Sequence, residues 1–93
     1  MKAIWNGQVV AESDQIIRWK GSCYFPLESI HAEFLKPSGT HTFCLFSGRA
    51  SYYCLEVDGQ TNPDAAWHYP KPTRLAKRVH AHVAFWHGVE VRP

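Results

Sequence analysis

The chain lacks the features that announce a biological role. It has no apolar run near the roughly 20 residues a membrane span needs. Its opening stretch, MKAIWNGQVVAES, holds one lysine and no apolar segment of signal-peptide length. No membrane partner is expected, and the cytoplasm is the expected location. Cysteine is scarce and odd in number, three in all. A secreted domain of this size normally builds on an even disulfide framework, so all three are read as reduced thiols. No Cys-x-x-Cys pair is present, which removes the usual spacing of structural zinc ligands. His41-x-x-Cys44 and His80-x-His82 are the nearest substitutes. On one extended strand the members of the first point to opposite faces, and the second follows the helix expected below. No metal and no cofactor are therefore assigned. Charge of one sign is lacking too. Ten basic and eight acidic residues leave a net +2, too weak a bias to imply nucleic acid. There is no repeat, linker or low-complexity tract.

Aromatic residues are plentiful, at 14% of 93 residues. A chain this short is one domain, residues 1–93, with one modest core. Aromatics bring much buried area per residue to such a fold. Four Trp and four Tyr also favour exposed aromatic surface and, through it, a homodimer.

Turn signals organise the chain. Asn6-Gly7 and Asp58-Gly59 each sit between apolar runs and favour the type I′ turn that matches strand twist. His87-Gly88 is a third signal. Alternation assigns Ser51, Tyr53, Leu55 and Val57 to one strand face, the core face, with Tyr52, Cys54 and Glu56 opposite. Val83 and Phe85 share a face, and Val89 and Val91 return to it. In THTFCLF, His41, Phe43 and Leu45 oppose Thr42, Cys44 and Phe46. Neither set is polar, so a strand buried on both sides is expected. PKPTRLAKRVHAH departs from this β pattern. Pro72 suits a first helical turn, and Leu75, Ala76 and Val79 form an apolar stripe. A short amphipathic helix over about 72–81 is predicted, with a helical turn at Pro26–Ser29 and a strand near Ile30–Leu35. The sum is a mostly β (α+β) domain. It is a small sandwich or partly open barrel of short antiparallel strands, with one short helix near the C-terminus.

CYFPLESI, THTFCLFSGRASYY, DAAWHYP and HVAFW, in that order and spacing, resemble the bacterial domain-of-unknown-function family number 427. MKAIWNGQVVAES is similar to its cyanobacterial members. The resemblance covers the whole chain and implies a small, mostly β fold without a reaction. Its pattern in the central stretch is Thr-x-Cys-Pro-x-Lys-Gly-x-Ala-x-Tyr. Thr42, Cys44, Gly48, Ala50 and Tyr52 match it. Leu45 stands where Pro is usual and Ser47 where Lys is usual, so any role of that lysine is not carried over. Some relatives bear a nucleotidyltransferase label. That chemistry needs carboxylates for Mg²⁺ and a phosphate cradle. Only Glu12-x-Asp14 resembles such a pair, and no Gly-Ser helix start precedes it.

Two other chemistries are open. Cys44 precedes a glycine turn whose N–H groups, with Arg49, Thr42 and Ser47, could favour a thiolate. The plain alternative is a buried structural cysteine, which is also the reading of Cys54; Cys23 has no evident partner. Lys71, Arg74, Lys77 and Arg78, with His80 and His82, concentrate positive charge in the helix region. Tyr52, Trp67, Tyr69 and Trp86 could stack bases, although solvated helices are charged anyway and aromatics fill cores. Finally, Trp67 and Tyr69 share a strand face with His68 opposed. The leading reading is a module that binds an unknown small molecule or protein partner in an aromatic-lined pocket. Its assigned ligand-binding residues are Thr42, Cys44, Gly48, Arg49, Tyr52, Trp67 and Tyr69. The alternatives are an enzyme acting through Cys44, the candidate catalytic residue, and a nucleic-acid binder.

Overall fold

The computed structural model describes residues 1–93. Nine strands follow in order: β1 (Lys2–Trp5), β2 (Gln8–Glu12), β3 (Ile17–Trp19), β4 (Ser22–Pro26), β5 (Leu35–Cys44), β6 (Gly48–Val57), β7 (Gln60–His68), β8 (His82–Phe85) and β9 (Glu90–Arg92). They form a three-stranded sheet, β2-β1-β9, and a six-stranded sheet, β3-β4-β8-β7-β6-β5. Every pairing is antiparallel. The mostly β expectation is met. The two sheets remain open, so the barrel alternative falls and strands β3 and β5 are left as edges.

The turns explain the connections. Asn6-Gly7 has φ of 52° and 75°, and Asp58-Gly59 has 51° and 77°. These positive values belong to the primed turns that join strands of matching twist, here β1 to β2 and β6 to β7. His87 and Gly88 have similar angles, yet β8 and β9 belong to different sheets. That turn carries the chain from one sheet to the other. Lys20-Gly21 is a further such turn, between β3 and β4. Strand β3, at three residues, is too short to show alternation in the sequence.

Alternation along the large sheet produces two hydrophobic clusters. Phe25, Leu55, Val57, Ala66, Val83 and Phe85 point toward the small sheet and meet Ala3, Val10 and Ala11 from β1 and β2. The intervening residues Tyr24, Ala50 and Ala84 point the other way, where Tyr69, Ala76 and Val79 cover them. Strand β6 therefore serves both clusters. Tyr53, Leu55 and Val57 enter the first, as the alternation predicts, while Ala50 and Tyr52 join the second.

Three expectations change. The predicted helix is a 3₁₀ helix, Arg74–Val79, shorter than 72–81. At three residues per turn, positions i and i+3 eclipse, so Ala76 and Val79 are both buried while Leu75 is 64% exposed. An α-helical stripe had placed Leu75 with them. Second, the strand expected at 30–35 is replaced by a 3₁₀ turn, Ala32–Phe34, and a single bridge from Ile30 to Ala11. The turn expected near Pro26–Ser29 is present as 3₁₀, Leu27–Ser29. Third, THTFCLF is not buried on both sides. Strand β5 is the sheet edge, and Phe43 is 75% and Leu45 78% exposed. Hydrophobicity without alternation signalled burial, but the pairing left this strand only one neighbour.

Candidate functional site

The β5–β6 hairpin closes through Cys44–Gly48, with the Ser47 N–H donating to the Cys44 carbonyl at 3.2 Å. This turn is held down on the segment that leads to the 3₁₀ helix. The Thr73 N–H donates to the Ser47 carbonyl at 3.1 Å, and the Thr73 hydroxyl donates to the Phe46 carbonyl. Gly48 has φ of +99°, and a Cβ there would stand 3.2 Å from the Lys71 carbonyl oxygen. The backbone conformation favours glycine, and the space would be tight for any side chain. Ser47 is wholly buried as a result.

Lys20, from the β3–β4 turn, reaches across to this hairpin. Its Nζ lies 3.8 Å from Cys44 Sγ and 3.5 Å from Ser47 Oγ. It also sits over the Trp19 ring at 4.8 Å and the Phe46 ring at 5.0 Å, contacts that favour a fixed ammonium. The Cys44 thiol is lowered to about 7. The Ser47 hydroxyl contributes most, followed by the backbone N–H groups of Phe46 and Ser47, and Lys20 adds a smaller attraction. These donors favour the thiolate, the reactive form. Lys20 thus brings an ammonium to the buried Ser47 side chain as well as to Cys44.

Lys20 also forms part of a wall. With Ser22, Tyr24, Tyr52, Trp67, Tyr69 and Trp86 it surrounds a hollow of about 240 Å³. Trp67 meets Trp86 edge-on at 5.2 Å and Tyr24 at 6.1 Å, and Tyr52 stacks along Trp86 at 6.2 Å. The Trp67 indole donates to the Tyr24 hydroxyl at 3.3 Å. Burial pushes the Tyr24 phenol well above its ordinary value, so it stays neutral. Trp86 is set by a bulge in β7. Asp64 there has φ of 53°, and its carbonyl accepts from the Trp86 indole. Hydroxyl donors Ser38 and Thr40 grip the Asp64 carboxylate and hold it below the usual carboxylate range.

Of the residues singled out from the sequence, Tyr52, Trp67 and Tyr69 line this hollow. Cys44 touches its rim through Lys20. Thr42 acts one step back, bonded to the Tyr52 hydroxyl at 3.0 Å. Gly48 is buried against Lys71 and Thr73 and lines nothing. Arg49 is not brought to the hollow and lines a separate groove with His41, Ser51, Pro70 and Lys71. Lys20, Ser22, Tyr24 and Trp86 complete the wall. Trp86 was visible as a stacking candidate. The other three come from the hairpin that hinges on Lys20-Gly21, and that dipeptide was the available signal.

The sequence profile of the domain of unknown function DUF427 matches residues 1–92. The chain belongs to the DUF427 family. No curated protein matches it. In this DUF427 domain the three cysteines are unbonded to one another. Cys23 packs beside the first cluster and accepts from the Arg18 guanidinium at 3.4 Å. No three His, Cys, Asp or Glu side chains converge as a metal set would. Asp14 lies in a groove with Glu28 and His82, away from the hollow. His68 stacks on Tyr53 at 5.0 Å, on the face opposite Trp67 and Tyr69, and burial lowers its pKa. No helix is long and apolar enough to cross a membrane.

Proposed function

We propose that this DUF427 domain binds a small planar molecule that carries an anionic group. The observation that supports this reading is the convergence of five aromatic side chains with one ammonium on a single hollow. Ring faces and edges favour a flat guest. Lys20 disfavours the cationic guests that bare rings attract and selects an anionic substituent. At about 240 Å³ the space lies below the roughly 300–1,000 Å³ of sites for drug-sized ligands. A single or fused ring fits better than a whole nucleotide.

Titration with indole-3-carboxylate and with indole, followed through the Trp67 and Trp86 indole N–H resonances, tests this. Both resonances should move, the carboxylate should bind more tightly, and Lys20→Met should remove that advantage. Unmoved resonances at millimolar ligand would end the proposal.

A second reading, an enzyme in which Cys44 attacks the guest, draws on the thiol lowered to about 7 beside Lys20 at 3.8 Å. A thiolate at the rim of a ligand hollow is suitably placed for nucleophilic attack. Stoichiometric labelling of Cys44 by an aromatic electrophile, slowed by indole-3-carboxylate, is the expected signature. Labelling indifferent to that competitor would leave only the binding reading.

A further inference from the structure

The 3₁₀ form of Arg74–Val79 has a consequence for charge as well as packing. Three residues per turn make three rows along the helix. Ala76 and Val79 form the buried row. Arg74 and Lys77 form a second row, and His80, which caps the helix, prolongs it. These three side chains line one groove of about 340 Å³ together with Pro72 and Thr73. In an α-helix the same spacing would rotate each successive side chain about 60° off the row. The rise of about 2 Å per residue puts neighbours in the row roughly 6 Å apart and makes the row about 12 Å long.

Nothing in the chain neutralises this row. No carboxylate lines the groove. No acidic residue occurs between Asp64 and Glu90, and the single ion pair of the molecule joins Arg92 to Glu90. The segment Pro70–Thr73 connects the row to the second groove, of about 270 Å³, which holds Arg49, Lys71 and His41, again without a carboxylate. Like charges fixed side by side repel, and a bound polyanion relieves that repulsion.

We propose that this face binds the backbone of single-stranded nucleic acid, with successive phosphates meeting Arg74, Lys77 and His80. One inorganic phosphate cannot span such a row. A chain of phosphates can, and its spacing in an extended strand is close to that of the side chains. The single groove lined by Arg74, Lys77 and His80 suits one strand. Residues of the aromatic hollow take no part, so this proposal stands or falls independently of the ligand reading.

The test is fluorescence anisotropy with a labelled oligothymidylate of about twelve nucleotides, within the range bound by small single-strand modules, over a series of salt concentrations. Binding should weaken as salt rises, with a log–log slope of about −1.4 for the two phosphates that Arg74 and Lys77 neutralise. Arg74→Gln/Lys77→Gln should bind at least about tenfold more weakly and flatten the slope by about 1.4. Both side chains are exposed, and an unchanged thermal melt will verify folding. Lys2→Gln/Lys36→Gln makes the same charge change away from the groove and should bind like the parent. Three results would overturn the proposal: no binding at low salt, equal loss in both double variants, or tighter binding of a duplex of the same length.

Discussion

The two clusters lie on opposite faces of one sheet and are built from different materials. The cluster between the sheets is aliphatic and phenyl, with Val10, Phe25, Leu55, Val57, Val83 and Phe85 closed from water. The cluster on the other face sets phenols and indoles, Tyr24 and Tyr69 with Trp19, Tyr52 and Trp67 around them, against the small residues Ala50, Ala76, Val79 and Ala84. A two-sheet sandwich can close around small apolar groups at organic-crystal density. The second face has a six-residue 3₁₀ helix as its helical cover, too little to enclose rings of that size. A hollow remains, edged by groups that can hydrogen bond. The first cluster is closed from water, and the second leaves an aromatic hollow at the surface.

The sharpest way to break this comparison is to truncate each side. Leu55→Ala in the first cluster should cost about 2–5 kcal/mol, lowering Tm by at least roughly 10 °C. Trp86→Ala, at the exposed lip of the second, should cost about 1 kcal/mol while abolishing the binding of indole-3-carboxylate. Equal losses of Tm in the two variants would erase the division of labour.

A smaller effect probes the polar bonds inside the second cluster. Tyr24→Phe removes the acceptor of the Trp67 indole, and urea denaturation should register about 1 kcal/mol. A neutral result would mean that water replaces the hydroxyl, and that the hollow is wetter than its rings suggest.

The smallest effect is a pH dependence. Cys44 should react with iodoacetamide with a midpoint of about 7, moved upward most by Ser47→Ala and less by Lys20→Met. The folded thiol ionises below its ordinary value of 9.0, so its contribution to stability is complete above that value. It is lost as pH falls from about 9 through about 7. Cys44→Ser should remove this upper slope in urea midpoints measured across pH. His68, on the opposite face of the sheet, provides the contrast. Burial lowers its pKa below 6.5, so its penalty grows as pH drops beneath that value. A Cys44 midpoint near 9 would reduce that residue to packing.

Much of the fold was legible because it rests on local rules. Asn-Gly and Asp-Gly dipeptides state their backbone angles, and strict alternation states which face Leu55 and Val57 bury. The site was legible only in part. Tyr52, Trp67 and Tyr69 stood out as aromatics on strands. Tyr24 did not, because its neighbour Phe25 looks equally apolar and only pairing with β8 decides which face each takes. Arg49 lines a different groove from Tyr52, Trp67 and Tyr69, because closeness in sequence to Cys44 says nothing about which side of β6 a side chain occupies.

The sequence by itself determined the hairpins at Asn6-Gly7 and Asp58-Gly59, the mostly β class, the free thiols and the family, since all of these depend on residues near one another in the chain or on overall composition. Tertiary structure decided the rest. It made β5 an edge, turned an expected α-helix into a 3₁₀ helix that aligns Arg74, Lys77 and His80, and brought Lys20 to Cys44 across 24 positions. Those outcomes follow from strand order and from the space left over a sheet, which are settled only when distant segments compete for the same core.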